Sequence, residues 1–391
     1  MKITKSIFGK EREELEKFNK LDLNERSIVF YSEDISSFVH FEQIIHELTE
    51  KMECQICYVT SAKDDPILNS QNKRIKAFYI GLGAIRTKFF MELKAEVLVM
   101  TMPSLETYFI KRSKVYPVHY VYVFHSIVSS HTIYRKGAFD HFDSIFCVGP
   151  HHIEEINAME SVYNLNHKNL VAYGYGLLDK LQKNKSLKNQ EIYTKDGKKK
   201  ILVAPSWGKK GLLETKGLEL VKILLDANYH VSVRPHPMTI RKQPKIIKKI
   251  ESEFKDKTNF EMETDVSSFE SLYSAYGLIS DWSGIAMEYA FVCELPVIYI
   301  DGLQKINNTS YDKISCKPLE VSIRNLIGKV ISPNELKSLP KIIESTYESI
   351  DLFKTKIQEV RSKTVFNLGQ SGIKGAQEIV KILHEKKLSK N

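Results

Sequence analysis

From Ser27 onward, short apolar runs alternate with longer helical patterns. That rhythm limits the fold more than any single motif does. Parallel strands need a crossover between them, and a helix is the usual one. Strands are predicted at 28–31, 55–60, 77–80, 97–101, 118–124, 144–148 and 170–172, with helices over 41–52, 84–93, 105–111 and 151–163. The rhythm breaks at 181–200, a Lys/Asn/Gln-rich stretch with Asp196-Gly197, which reads as a linker. It then restarts, with strands at 201–204, 230–233, 259–261, 276–279 and 297–300, and helices over 212–227, 244–254, 267–274 and 283–292. The fold class is therefore α/β, with two Rossmann-like, doubly wound parallel-sheet domains facing a cleft. The expected divisions are 1–182, a Lys-rich linker 183–200, a second domain 201–335, and a helical segment 336–391 packing back over the domains.

The bulk composition narrows the class of protein. A chain of 391 residues with 42% hydrophobic and 27% charged residues suits a folded, two-domain protein. Lys and Arg outnumber Asp and Glu by 57 to 48, so phosphorylated substrates, anionic lipid or nucleic acid are all electrostatically welcome. Nucleic acid is the least favoured of these, because no aromatic-basic module accompanies the charge. Five cysteines, an odd count, fit a reducing compartment. Cys54 and Cys57 form a CxxC inside a strand pattern, with no second pair at zinc spacing, so no metal is expected there. No apolar run approaches the roughly 18 residues that span a bilayer. Residues 1–20 lack the apolar core of a signal peptide, and a cytoplasmic protein is expected.

Polar and turn-forming residues gather where the predicted strands end, the edge at which open α/β sheets bind ligands. The run Ser280-Asp281-Trp282-Ser283-Gly284 leads from a strand into a helix whose first N–H groups and dipole favour a phosphate. Glu288 lies one turn along, within reach of a ribose hydroxyl. In the plainer reading Asp281 or Ser283 simply caps that helix. Arg234-Pro235-His236-Pro237 is a stiff turn carrying a guanidinium suited to phosphate and an imidazole that titrates near neutrality. Ser206 sits in Pro205-Ser206-Trp207-Gly208, a third such loop. In the first half, His125 ends a strongly apolar strand and is followed by Ser126, His131 and Arg135, more polar function than a connector needs. His151-His152 reads as a helix start.

Together these segments resemble the CDP-glycerol glycerophosphotransferase family, the teichoic-acid polymerases and primases and their relatives in capsule and surface-polysaccharide synthesis. The carrying residues are Ala204-Pro205-Ser206-Trp207, Arg234-Pro235-His236-Pro237 and Ser280-Asp281-Trp282-Ser283-Gly284, in the family's order and at similar spacing. The resemblance implies a GT-B fold whose second domain binds the nucleotide and whose first domain serves the acceptor. The family's W-H-G-T motif, whose His is the proposed base, is matched by Phe124-His125-Ser126-Ile127, where only the His is kept. That departure marks a branch distinct from the wall-teichoic polymerases.

On this reading His125 and His236 are catalytic, and Ser206, Arg234, Ser280, Asp281, Ser283, Gly284 and Glu288 hold the donor nucleotide and its phosphates. Ser126, His131 and Arg135 face the acceptor. Arg234, His236 and the helix start neutralise the departing CMP, so no cofactor or metal is expected. The acceptor is a lipid-linked or surface-glycan hydroxyl. Peripheral contact with the inner face of the membrane is expected through 105–110 and the bases Lys111, Arg112 and Lys114. A glycosyltransferase using a nucleotide sugar, a sugar-nucleotide 2-epimerase and a non-catalytic scaffold are the alternatives.

Overall fold

A computed structural model of the chain describes residues 2–107, 109–187, 192–265 and 268–389, with side chains from residue 9 onward. The chain divides into two compact units. The first comprises 1–180, 307–316 and 365–391, and the second comprises 181–306 and 317–364.

In the first unit seven strands form one parallel sheet: β1 (Ile28–Ser32), β2 (Ile56–Thr60), β3 (Ile75–Tyr79), β4 (Val97–Met100), β5 (His119–Val123), β6 (Ser144–Cys147) and β7 (Asn169–Ala172). Their order is β3-β2-β1-β4-β5-β6-β7. Val29 is flanked by Cys57 on one side and Leu98 on the other. Every residue of β1, β2 and β4 is buried, as expected for strands covered on both faces. Phe30, Tyr58, Val97 and Val121 pack with Phe41 and Ile44 of helix Phe38–His46 and with Ala376 and Ile379 of helix Ser371–Leu388.

The second unit repeats the plan with β8 (Lys200–Val203), β9 (His230–Val233), β10 (Phe260–Met262), β11 (Gly277–Ser280), β12 (Val297–Ile300) and β13 (Gly328–Ile331), ordered β10-β9-β8-β11-β12-β13. Its core joins Ile201, Val203, Val231, Ile279 and Ile298 to Leu220 and Leu224 below and to Leu339, Ile343 and Tyr347 of helix Leu339–Glu348. From β8 the chain winds outward through β9 and β10, then returns to β11 and winds the other way. The C-terminal ends of β8 and β11 therefore flank the point where strand order reverses, the crevice in which such sheets bind ligands.

Several details depart from the sequence expectation. Helix Leu319–Ile327 and strand β13 were not foreseen, because Gly-Lys-Val-Ile is too short and too weakly apolar to stand out. The described residues of 105–111 do not form a helix. Ser104 and Glu106 take left-handed backbone angles, φ 72° and 65°, and Leu105 and Ile110 turn inward. Tyr108 lies outside the described residues. The expected linker begins as the end of helix Gly176–Ser186 and is pinned by a bridge between Tyr193 and Lys199, while 188–191 lie outside the described residues. The helical tail is not one body: Ile350–Thr364 belongs to the second unit and Ser371–Leu388 to the first.

Gly328 opens β13 where a Cβ would stand 2.0 Å from the Val297 carbonyl oxygen, a backbone atom that cannot swing aside. Gly328→Ala should cost at least about 2 kcal/mol in urea unfolding. Gly302→Ala, where a Cβ meets nothing within 4 Å, should be nearly neutral. Equal effects from the two would remove the close-approach explanation.

Candidate active site

The reversal point of the second sheet is held by one carboxylate. Asp281, 5% exposed, accepts the Ser206 N–H at 2.7 Å and the Trp282 N–H at 2.6 Å on Oδ1, and the Ser206 hydroxyl at 3.1 Å on Oδ2. Ser280 adds a second tie, its hydroxyl donating to the Ala204 carbonyl at 2.8 Å. Ser206, Ser280 and Asp281 were expected to touch the donor. The structure instead turns Ser206 and Asp281 on one another and Ser280 on the Ala204 backbone, so that they shape the loops after β8 and β11.

What those loops present is the start of helix Ile285–Cys293. Gly284 occupies the capping position with helical angles and no side chain caps the helix, so neither Asp281 nor Ser283 fills the role the plainer reading gave them. Ser283 and Gly284 are half-buried at this end, and Glu288 is buried on the first turn. Trp282 is fixed from two sides. Its indole N–H donates to the Gly302 carbonyl at 3.2 Å, and the Arg324 guanidinium lies 3.9 Å from its ring centroid. Arg324 is itself held by Asp301 at 3.0 Å.

The Arg234–His236 turn behaves differently from its sequence reading. Arg234 is buried, ion-paired with Glu263, donates to the Ser268 carbonyl at 2.6 Å and lies over Phe269. Its charge is already answered within the unit. His236 accepts the Met238 N–H on Nδ1 at 3.0 Å, which places its proton on Nε2. Burial, reinforced by the nearby charge of Lys305, lowers its pKa to about 4. His236 is therefore a neutral donor at physiological pH and not the second positive charge that was expected.

Two lysines supply charge in its place. Lys305, in the loop after β12, and Lys242, at the end of helix Pro237–Lys242, have their ammonium groups 4.7 and 4.9 Å from the Trp207 ring centroid. The Trp207 ring lies 6.2 Å from that of His236. Neither lysine was singled out in the sequence. Lys305 comes four strands after the Trp207 loop in chain order, and only the sheet topology, which places β12 two strands from β8, brings the two together.

In the first unit His125 follows β5, half-buried. Its Nδ1 lies 3.3 Å from the Tyr122 hydroxyl and its Nε2 3.5 Å from the Tyr134 hydroxyl. Burial holds its pKa below the ordinary histidine value and drives both phenols upward, that of Tyr134 to about 12. A neutral imidazole facing un-ionised phenols can accept a proton. His40, which sequence reasoning passed over because it lies in a separate helix, stands 5.9 Å from His125, ring to ring, and stacks on Tyr175. The Tyr175 hydroxyl donates to the His125 carbonyl at 3.3 Å.

The acceptor-side candidates fall into three classes of environment. Ser126 is half-buried beside His125. His131 is only 1% exposed, with Nδ1 3.1 Å from Glu155, whose other oxygen accepts from the Ser130 N–H and hydroxyl. That buried position excludes direct contact with an acceptor in this conformation. Arg135 is exposed and spans to Ser104 and Thr107, bracing the 104–107 turn. His151 and His152 bond to the Ile127 and Val128 carbonyls and so support the same loop. Among the described residues no group of three or more His, Cys, Asp or Glu is placed to hold a metal ion.

The sequence model described as CDP-Glycerol:Poly(glycerophosphate) glycerophosphotransferase matches residues 15–305. No curated protein matches the chain by sequence. Among solved structures, the wall teichoic acid polymerase TagF superposes with a TM-score of 0.59 at 15% identity, covering 98% of this chain and 96% of that one. S. aureus MnaA with UDP gives 0.59 at 13% identity, covering 93% and 97%. The Methanocaldococcus jannaschii UDP-GlcNAc 2-epimerase gives 0.54 at 13% identity, covering 92% and 99%. Likeness at this identity establishes the fold, two Rossmann-like domains of GT-B type.

The buried histidines carry a pH signature. His40 is lowered to about 3 and His236 to about 4, in each case chiefly by burial, and His125, His151 and His152 are lowered for the same reason. Between those values and about 6.5 the unfolded chain binds more protons than the folded one, so stability falls as pH drops through that window. Going from about pH 7.5 to about pH 5.5 should cost roughly 1.4 kcal/mol for each of His40 and His236. Urea midpoints at the two pH values test this, and His40→Gln should lessen the drop. A flat profile would contradict it.

Proposed function

The chain belongs to the CDP-glycerol:poly(glycerophosphate) glycerophosphotransferase family, and on that premise we propose that it transfers glycerol phosphate from CDP-glycerol to a hydroxyl of a lipid-linked or surface-glycan acceptor. The observation that carries the donor half is the uncapped helix start at the sheet's reversal point, shaped by the Asp281 tie and flanked by His236 and the two lysines. Such a helix end presents N–H donors and partial positive charge to a phosphate.

In the reaction the acceptor oxygen bonds to the β-phosphorus, the bond from that phosphorus to the CMP oxygen breaks, and the electron pair leaves on CMP. The acceptor's proton passes to a ring nitrogen of His125, which is neutral at working pH and so already in the accepting form. Glu288 binds the ribose, and the His236 Nε2–H donates to the phosphates as a neutral group. Neutralisation of the leaving phosphate falls to protein cations and the helix start, with no resident metal in the scheme.

The protein works at a membrane surface, where a lipid-linked acceptor would reside. No helix among the described residues is long and apolar enough to cross a membrane. Contact would instead be made by Leu82 and Phe109, 59% and 67% exposed, which line one groove with Met91 and Lys88. Val115, also exposed, follows Lys114, whose N–H bonds the Met91 carbonyl at 2.9 Å. This surface replaces the helix once expected over 105–111. It does not include Arg112, which is tied to Asp143.

His125→Ala should lower transfer on the order of a thousandfold while CDP-glycerol binding stays within about threefold of the parent. Activity near the parent level would sink the base assignment. Release of UMP or UDP from a nucleotide sugar, with CDP-glycerol left untouched, would overturn the donor assignment. Treatment with EDTA should leave turnover unchanged.

A further inference from the structure

Most cations near the ligand edge of the second sheet are already matched. Arg234 is paired with Glu263 and Arg324 with Asp301. Lys305 is the contrast: it is half-buried yet forms no ion pair or hydrogen bond with any described residue. Asp281 is its nearest source of negative charge, but both carboxylate oxygens are engaged by Ser206 and Trp282. The Trp207 face attracts the ammonium. That attraction offsets only part of the cost of removing an ion from water. Lys242 approaches the same indole, so two like charges converge on one ring.

We propose that Lys305, seated on Trp207 and assisted by Lys242, is the residue that receives the diphosphate of the activated donor and neutralises the departing nucleotide phosphate. The inference rests on the nucleotide-donor reading above and names the group that performs its electrostatic step. Four strand ends meet there: Trp207 follows β8, His236 and Lys242 follow β9, the uncapped helix follows β11 and Lys305 follows β12. As the phosphorus–oxygen bond to CMP breaks, negative charge accumulates on the leaving phosphate. Lys305 keeps its proton and meets that charge as an ion. Burial lowers its pKa, partly offset by Asp281, to about 8, so it remains mostly protonated at neutral pH and gains affinity for its proton once an anion binds. A fixed cation beside the leaving group acts more strongly in the transition state than in the ground state, which is the condition for raising turnover.

The test measures binding by calorimetry with three probes, CDP-glycerol, inorganic pyrophosphate and cytidine, on the parent, Lys305→Met, Lys305→Arg and Lys242→Met. Lys305→Met should weaken CDP-glycerol and pyrophosphate roughly 30-fold while cytidine changes by less than about twofold, and it should lower kcat as well as raise KM. Lys305→Arg should recover most of the affinity, and Lys242→Met should produce a smaller loss of the same kind. Unchanged thermal midpoints would separate these effects from misfolding, and Lys305→Gln serves if the Met variant is unstable. Pyrophosphate and CDP-glycerol binding within twofold of the parent in Lys305→Met would overturn the proposal, as would a parent that binds neither pyrophosphate nor any nucleoside diphosphate. A parent that binds UDP and pyrophosphate but not CDP-glycerol would uphold Lys305 and overturn only the choice of donor.

Discussion

Asp281 organises the second unit at the point where function requires order. Its two oxygens collect two backbone N–H groups and one hydroxyl from loops that follow different strands, β8 and β11. Each loop alone is a short polar connection with little to hold it. A buried carboxylate with three donors gives them one shared geometry, and charged acceptors form the stronger class of hydrogen bond. Placing a negative charge here has a second consequence. It favours the protonated form of Lys305 without pairing with it, leaving the cation available while limiting the cost of its burial. The same carboxylate thus sets the shape of the proposed phosphate site and balances its charge, although it is poorly suited to touch a phosphate itself.

The imidazoles are the complementary feature. His125, His236 and His40 are all held neutral, chiefly by burial. For His125 this is useful, because a base must be unprotonated to accept. For His236 it limits the role to donation from Nε2, since Nδ1 is committed to the Met238 N–H. Positive charge at the site therefore comes from the lysines and the helix start. Division of labour by protonation state, with neutral histidines for proton and hydrogen-bond work and ammonium groups for charge, follows from where each side chain is buried and what it faces.

Much of this was legible in the sequence because the fold is written in periodicity. The seven apolar runs of the first half match its seven strands, and the five of the second half match five of its six strands. The one missed, β13, begins with a glycine needed for close approach to Val297 and has only two apolar side chains. The helix expected over 105–111 failed for a related reason. Leu105 and Ile110 are anchors of an irregular loop, and helical spacing over so few residues does not distinguish the two. In the candidate site, the strand-end motifs pointed to the loops that gather at the reversal of the second sheet but not to which atoms face outward. Ser206, Ser280 and Asp281 read as ligand contacts because small polar residues at strand ends look the same whether they bind a phosphate or each other. Lys305 had no motif at all; its place depends on β12 lying next to β11, a tertiary fact.

The environment of His125 carries the clearest mark of this chain's own branch. Where the resembling family has Trp before the histidine, Phe124 stacks on the buried His152 with ring centroids 3.7 Å apart. That ring pairing, together with His152 bonding the Val128 carbonyl, fixes the loop after His125 from below. The polar groups that face the imidazole are then the phenols of Tyr122 and Tyr134, one from β5 and one from beyond the short helix Ser130–Ile133. Phenols that stay protonated add no charge beside the histidine, so burial decides the direction of its shift, opposed in part by the Thr101 backbone and the Asp34 carboxylate. The proposed base is therefore tuned chiefly by desolvation and held by aromatic packing. Its strength should depend more on how well the Phe124–Phe139–Tyr122 cluster excludes water than on any single hydrogen bond.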